Sequence, residues 1–127
     1  MVEDEPTAHR HAAEARDAGA DIVEFRIDSF FSGSRSADGS LDEREVRAIQ
    51  RLIRECPVPC IITCRAASEA GGNGGYDGDD MARIALYEAL GTGAGEQPPP
   101  RYLDVELATY SRSANIRQKV NLAVDHP

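Results

Sequence analysis

Three short runs of alternating apolar and polar residues, each preceded by a helical pattern, leave few folds open to this chain. The runs are Asp21 to Asp28, Cys60 to Arg65 and Tyr102 to Leu107. The helical patterns are Thr7 to Ala18, Leu41 to Arg54, Asp79 to Leu90 and Ser113 to Val124. Thr7 reads as the N-cap of the first helix and Gly19 as its stop. In the second, Leu41, Val46, Ile49, Leu52 and Ile53 make one apolar stripe, and Pro57 and Pro59 end it. Ser32 to Ser40 and Gly91 to Pro100 read as loops, the first polar and flexible, the second a linker. Such α-β alternation predicts parallel strands, in an open sheet or in a barrel.

The phase of the strands separates these two. Val23, Phe25 and Ile27 point one way, and Glu24, Arg26 and Asp28 the other. Cys60, Ile62 and Cys64 share a face opposite Thr63 and Arg65. Leu103, Val105 and Leu107 alternate with Tyr102, Asp104 and Glu106. An open parallel sheet covered on both sides is apolar on both faces. One polar face on three successive strands fits a barrel instead, with helices outside and a polar site near the strand C-termini.

Composition narrows the partners. The chain has 127 residues, 41% of them hydrophobic, and a formal net charge of -8. That charge repels phosphate backbones, which argues against a nucleic-acid partner. No apolar run approaches the roughly 20 residues of a membrane span, and the acidic start has no signal-peptide character, so a cytoplasmic protein is expected. Cys56, Cys60 and Cys64 lack the paired spacing of a metal site and read as packing residues. No metal is expected. His9, His11 and His126 have no nucleophile or ligand set beside them and read as solvated. Gly72-Asn73-Gly74-Gly75 lacks the spacing of a phosphate-binding loop.

Charges on the inward face must be paired or serve a ligand. One reading is a self-satisfied network, with Glu24 and Asp28 neutralising Arg26, and Asp104 or Glu106 pairing Arg65. The other is a pocket for a polyol or carboxylate, in which arginine forks hold oxygens and glutamates accept hydroxyl hydrogens. The loop Arg65-Ala66-Ala67-Ser68-Glu69-Ala70-Gly71-Gly72 leaves the second strand where barrel chemistry is expected, and Glu69 is within reach of the pocket.

Three segments resemble type I 3-dehydroquinate dehydratases. They are residues 19–28 (GADIVEFRID), residues 59–65 (PCIITCR) with Glu69 and Gly71-Gly72, and residues 102–106 (YLDVE). The resemblance implies a (β/α)8 barrel that converts 3-dehydroquinate to 3-dehydroshikimate and water in the shikimate pathway. It implies that Glu24, Arg26 and Arg65 bind substrate and that Glu69 supports a catalytic histidine. Asp28, Asp104 and Glu106 are secondary candidates, the last two for electrostatic support. A lysine forms an imine with the substrate ketone, the imine acidifies the neighbouring C–H, and a histidine moves protons as water leaves. No cofactor is needed.

Two departures stand out. The family has Glu-Gly-Gly where this chain has Glu69-Ala70-Gly71-Gly72, and it has a strand before the first helix. Residues 1–127 are therefore expected to form a single partial domain of three to four βα units, the N-terminal half of such a barrel without its first strand. The family's histidine and lysine would follow beyond Pro127. Lys119 is the sequence's single lysine. It falls on the exposed side of the last helical pattern, where nothing lowers its pKa for imine formation. The chain alone is expected to be inactive, and to pair with the remainder of the barrel or with further copies of itself. Two alternatives stay open, another Schiff-base lyase barrel and a non-catalytic binding or assembly module.

Overall fold

The computed structural model describes residues 1–70, 75–91 and 98–124, and its first helix, α1 (Glu5–Asp17), begins earlier than expected. Asp4 is the N-cap, not Thr7. The Asp4 carboxylate accepts the Thr7 backbone N–H at 2.8 Å, and Pro6 fits the first turn, where no N–H is required. That backbone hydrogen bond holds the Asp4 carboxyl below its ordinary pKa. Gly19, at φ +103°, turns the chain out of the helix, as read from the sequence.

The other predicted elements follow in order with shorter strands, and a 3-10 turn and a one-turn helix that were not predicted lie between them. They are β1 (Val23–Arg26), α2 (Glu43–Glu55), β2 (Cys60–Thr63), a 3-10 turn at Ala67–Glu69, α3 (Asp80–Gly91), β3 (Tyr102–Asp104), α4 (Leu107–Tyr110) and α5 (Ala114–Val124). Asp42 caps α2 by accepting the Arg44 N–H at 2.9 Å, so Leu41 lies just before the helix and packs half-buried on the core. The Ser32–Ser40 loop is tied down at several points. Glu45 accepts the Ser32 N–H at 3.0 Å, Asp38 accepts the Ser40 N–H at 3.0 Å, and Arg35 bridges to Leu41.

The sheet has the order β1-β2-β3, both pairs parallel, so the predicted parallel α/β arrangement is what forms. Phe25, Ile62 and Leu103 stand in one row across the strands, and Arg26, Thr63 and Asp104 in the next. Alternation sends these rows to opposite faces. The apolar face carries Phe25, Ile27, Cys60, Ile62 and Cys64, which pack with Ile49 and Leu52 of α2 and Ile84, Leu86, Tyr87 and Leu90 of α3. Full burial of side chains such as Ile62 or Leu52 contributes about 1.5–3 kcal/mol each. Helices lie against one another in the sequence α1, α2, α3, α5. Three successive βα units, one face covered by helices and the other polar, make a segment of a (β/α) barrel.

The third strand departs from expectation. It ends at Asp104, and Leu107, predicted on the apolar face, is 77% exposed at the start of α4. The break falls at Glu106. Its backbone is still extended, but its carboxylate is bound by a buried arginine and it caps α4, which begins at Leu107.

Candidate functional site

On the polar face, alternation and register bring together most of the residues singled out from the sequence. Glu24 accepts the Thr63 hydroxyl at 2.6 Å across the β1–β2 pair. Arg26 donates along its own strand to Asp28, with Nε 3.2 Å from Oδ1 and a closer contact from Nη2 to Oδ2. Hydrogen bonding to that carboxylate raises the Arg26 pKa above its already high value, against the opposing effect of burial. Arg65, two residues past β2, donates to Asp104 of β3 at 2.8 Å. The self-satisfied network is thus half right. Asp28 pairs Arg26 and Asp104 pairs Arg65, but Glu24 binds a hydroxyl rather than Arg26.

These pairs are not sealed. The Arg26, Arg65 and Asp104 side chains are 30%, 33% and 38% exposed, whereas Asp28 is fully buried. A cavity of about 380 Å³ opens between the N-terminal residues, α1 and β1, and Glu24 and Arg26 line it together with His11 and Thr7. Arg65 does not line it. The Val2 N–H donates to the Arg26 carbonyl at 2.8 Å, on the edge of β1 away from β2.

Glu106 was expected among the inward charges, with either it or Asp104 pairing Arg65; Asp104 makes that pair, and Glu106 turns instead to another arginine. It is buried at the start of α4 and bound to Arg83 of α3 at 2.6 Å. Arg83 is 1% exposed. Its Nη1 also donates to the Cys64 carbonyl at 3.1 Å, and its Nη2 to Thr109 at 2.6 Å and Asp80 at 3.4 Å. Its Nε has no partner among the described residues. The sequence reading missed Arg83. The signal was there: Arg83 shares its helical stripe with Leu86, Tyr87 and Leu90, and an arginine within an apolar stripe requires a buried acid.

Glu69 lies exposed in the 3-10 turn, and its side chain has no hydrogen-bond or ion-pair partner among the described residues. Gly71 and Gly72 of the same loop, and the Asn73-Gly74 step, lie outside the described residues. Gly75 is the return point. At φ +104° a Cβ there would stand 2.6 Å from the Ala67 Cα, so the loop closes on itself only because that atom is missing. After it, the Tyr76 N–H reaches the Arg65 carbonyl at 2.6 Å. Tyr76 donates its hydroxyl to the Asp79 carbonyl at 2.7 Å and stacks on Phe31 with ring centres 5.5 Å apart.

The other candidates fall away from this face. Cys60 and Cys64 are buried, and burial pushes both thiols up to about 12, as packing residues require. His9 is not simply solvated, since its Nε2 is 3.4 Å from both Glu5 and Glu55. His11 is exposed, and His126 lies outside the described residues. Lys119 sits on α5 with its Nζ 4.0 Å from Glu88 of α3, among half-exposed side chains. Among the described residues no group of three or more His, Cys, Asp or Glu is placed to hold a metal ion, and no helix is long and apolar enough to cross a membrane.

Compared with known proteins, residues 1–123 match the family model described as type I 3-dehydroquinase. Neither a curated protein nor a solved structure gives a significant match.

Proposed function

The chain belongs to the type I 3-dehydroquinase family, and on that premise we propose that its polar sheet face is the substrate-binding half of a 3-dehydroquinate dehydratase site. The observation that carries the reading is the row of half-exposed charged groups, Arg26 and Arg65 with Asp104, at the C-terminal ends of three adjacent parallel strands. That is where (β/α) barrels hold their ligands. A cyclic polyhydroxy acid offers what these groups take up. Arg65 binds a carboxylate or hydroxyl oxygen in place of the half-exposed Asp104, Arg26 binds one while keeping its buried partner Asp28, and Glu24 accepts a hydroxyl hydrogen, as it does from Thr63. Asp28 and Asp104 keep both arginines oriented until then. Glu69 is the carboxylate that would steady a catalytic histidine.

The family reaction runs through a lysine imine: the proton leaves the carbon next to the imine, the hydroxyl departs as water, and hydrolysis releases product and lysine. Lys119, on an outer helix beside Glu88, is not that lysine. We therefore assign residues 1–127 to a single partial domain that binds but does not turn over substrate, in a cytoplasmic setting. It is completed by the remainder of a barrel or by further copies of itself. Among the described residues neither edge of the sheet carries a fourth strand, which favours such pairing.

Titration with 3-dehydroquinate, followed by borohydride reduction and mass spectrometry, tests the assignment. Saturable binding that is lost in Arg65→Gln, without a reduced adduct, supports it. An adduct on Lys119 overturns the non-catalytic part. Absence of binding, in a chain whose fold is verified, favours an assembly module built on the same barrel.

A further inference from the structure

Three backbone groups around Arg65 are held by something outside its strand. The Cys64 carbonyl, just before it, accepts from Arg83 Nη1 at 3.1 Å and from the Tyr87 hydroxyl at 3.4 Å. The Ala66 N–H, just after it, donates to Glu106 Oε1 at 3.1 Å. The Arg65 carbonyl itself accepts the Tyr76 N–H at 2.6 Å. Two of these holds converge, because Arg83 Nη1 and the Ala66 N–H both bind the same Glu106 oxygen. β2 ends at Thr63, and beyond it the only sheet-like hold on this stretch among the described residues is the parallel bridge between Ala66 and Tyr76, so the Cys64 carbonyl and the Ala66 N–H depend on side chains.

We propose that the buried Arg83–Glu106 pair is a positioning device that brackets Arg65, fixing where its guanidinium leaves the strand end and hence its aim at substrate. The pair touches no substrate itself. The inference rests on the reading of Arg65 as a substrate-binding residue, but its mechanical part stands apart from any ligand. A pair kept for stability alone has no need to grip both sides of one residue. Apolar side chains of similar volume often replace such a pair with no loss of stability. Here the guanidinium spans from the α4 hydroxyl of Thr109 to the last carbonyl before Arg65, with the carboxylate carrying the hold on to the next peptide.

The experiment uses the full chain. Arg83→Met/Glu106→Met removes the bracket while leaving neither charge unpaired, and Glu106→Gln keeps an acceptor oxygen in place. The Arg65 Nε–Hε signal, read by heteronuclear NMR, is expected to lose its order in the double variant and to retain it in Glu106→Gln. Affinity for 3-dehydroquinate should fall about tenfold or more in the double variant, in keeping with the cost of a misaimed binding group. Thermal stability should change little. If the double variant fails to fold, Ala66→Pro deletes the single N–H that Glu106 holds, at a φ of -66° that the proline ring accepts, and is expected to disorder Arg65 in the same way. An Arg65 signal as ordered in these variants as in the parent chain overturns the proposal. A parent chain with no affinity for 3-dehydroquinate counts against the functional reading, and the NMR result still decides the bracket.

Discussion

Asp104 and Glu106 stand two residues apart and each binds an arginine, yet the two pairs have opposite physical characters. Arg65–Asp104 is about one-third exposed on both sides, while Arg83–Glu106 is 1% and 5% exposed. Water competes at the first pair, so it contributes little to stability, and its carboxylate can yield to that of a ligand. The second pair cannot yield. Removing one partner leaves an uncompensated charge in a medium that solvates it poorly. The comparison teaches a division of labour: the pair that can exchange partners faces the site, and the pair that cannot lies behind it.

Breaking the buried side gives the largest effect. Arg83→Met should destabilise the fold by about 3–5 kcal/mol, read from urea unfolding midpoints, because Glu106 is left buried without a counter-charge. Glu106→Gln keeps its shape and should cost less, about 1–3 kcal/mol by the same measurement. Arg65→Gln sharpens the contrast. It should change stability by about 1 kcal/mol or less, a difference that fades in high salt, while removing affinity for 3-dehydroquinate in calorimetric titration.

The core beside Arg83 gives a milder test. Cys64 and Cys60 are buried, with thiols raised to about 12, whereas Cys56 is half-buried. A thiol reagent at pH 8 should modify Cys56 in the folded chain and all three cysteines after unfolding. The smallest effect belongs to the outer surface. Hydrogen bonds from Arg51 hold the Glu5 carboxyl below its ordinary value of 4.5, so its contribution is complete above that pH and is lost as pH falls through the lowered value. The Tm difference between the parent chain and Glu5→Gln should therefore be small at neutral pH and vanish in acid.

The order of elements, the parallel pairing and the two-faced strands were legible in the sequence because each rests on local periodicity. The site was partly legible for the same reason, since alternation alone put Glu24, Arg26, Thr63 and Arg65 on one face. What escaped the sequence was set by contacts distant along the chain. Glu106 sits in the phase of Asp104, and nothing local says that Arg83, 23 residues earlier in the chain, pulls it out of the sheet. Glu106 caps α4 there, β3 ends at Asp104, and Leu107 is exposed in the helix. The N-cap was misread for a simpler cause. Thr7 is an acceptable cap, but Asp4 lies three residues ahead of it with a charged acceptor, and Pro6 follows in the first turn.

Tyr76 makes the segments that follow β1 and β2 mechanically one piece. Its ring lies on Phe31, and its hydroxyl occupies the space a side chain at Gly33 would need; a Cβ at Gly78 would come within 2.6 Å of the same oxygen. Insertion, deletion or a bulkier residue in either segment would dislodge the ring and be felt in the other. Attempts to retune ligand preference by grafting a new loop after one strand would therefore have to replace both, or retain the tyrosine and the two glycines that make room for it.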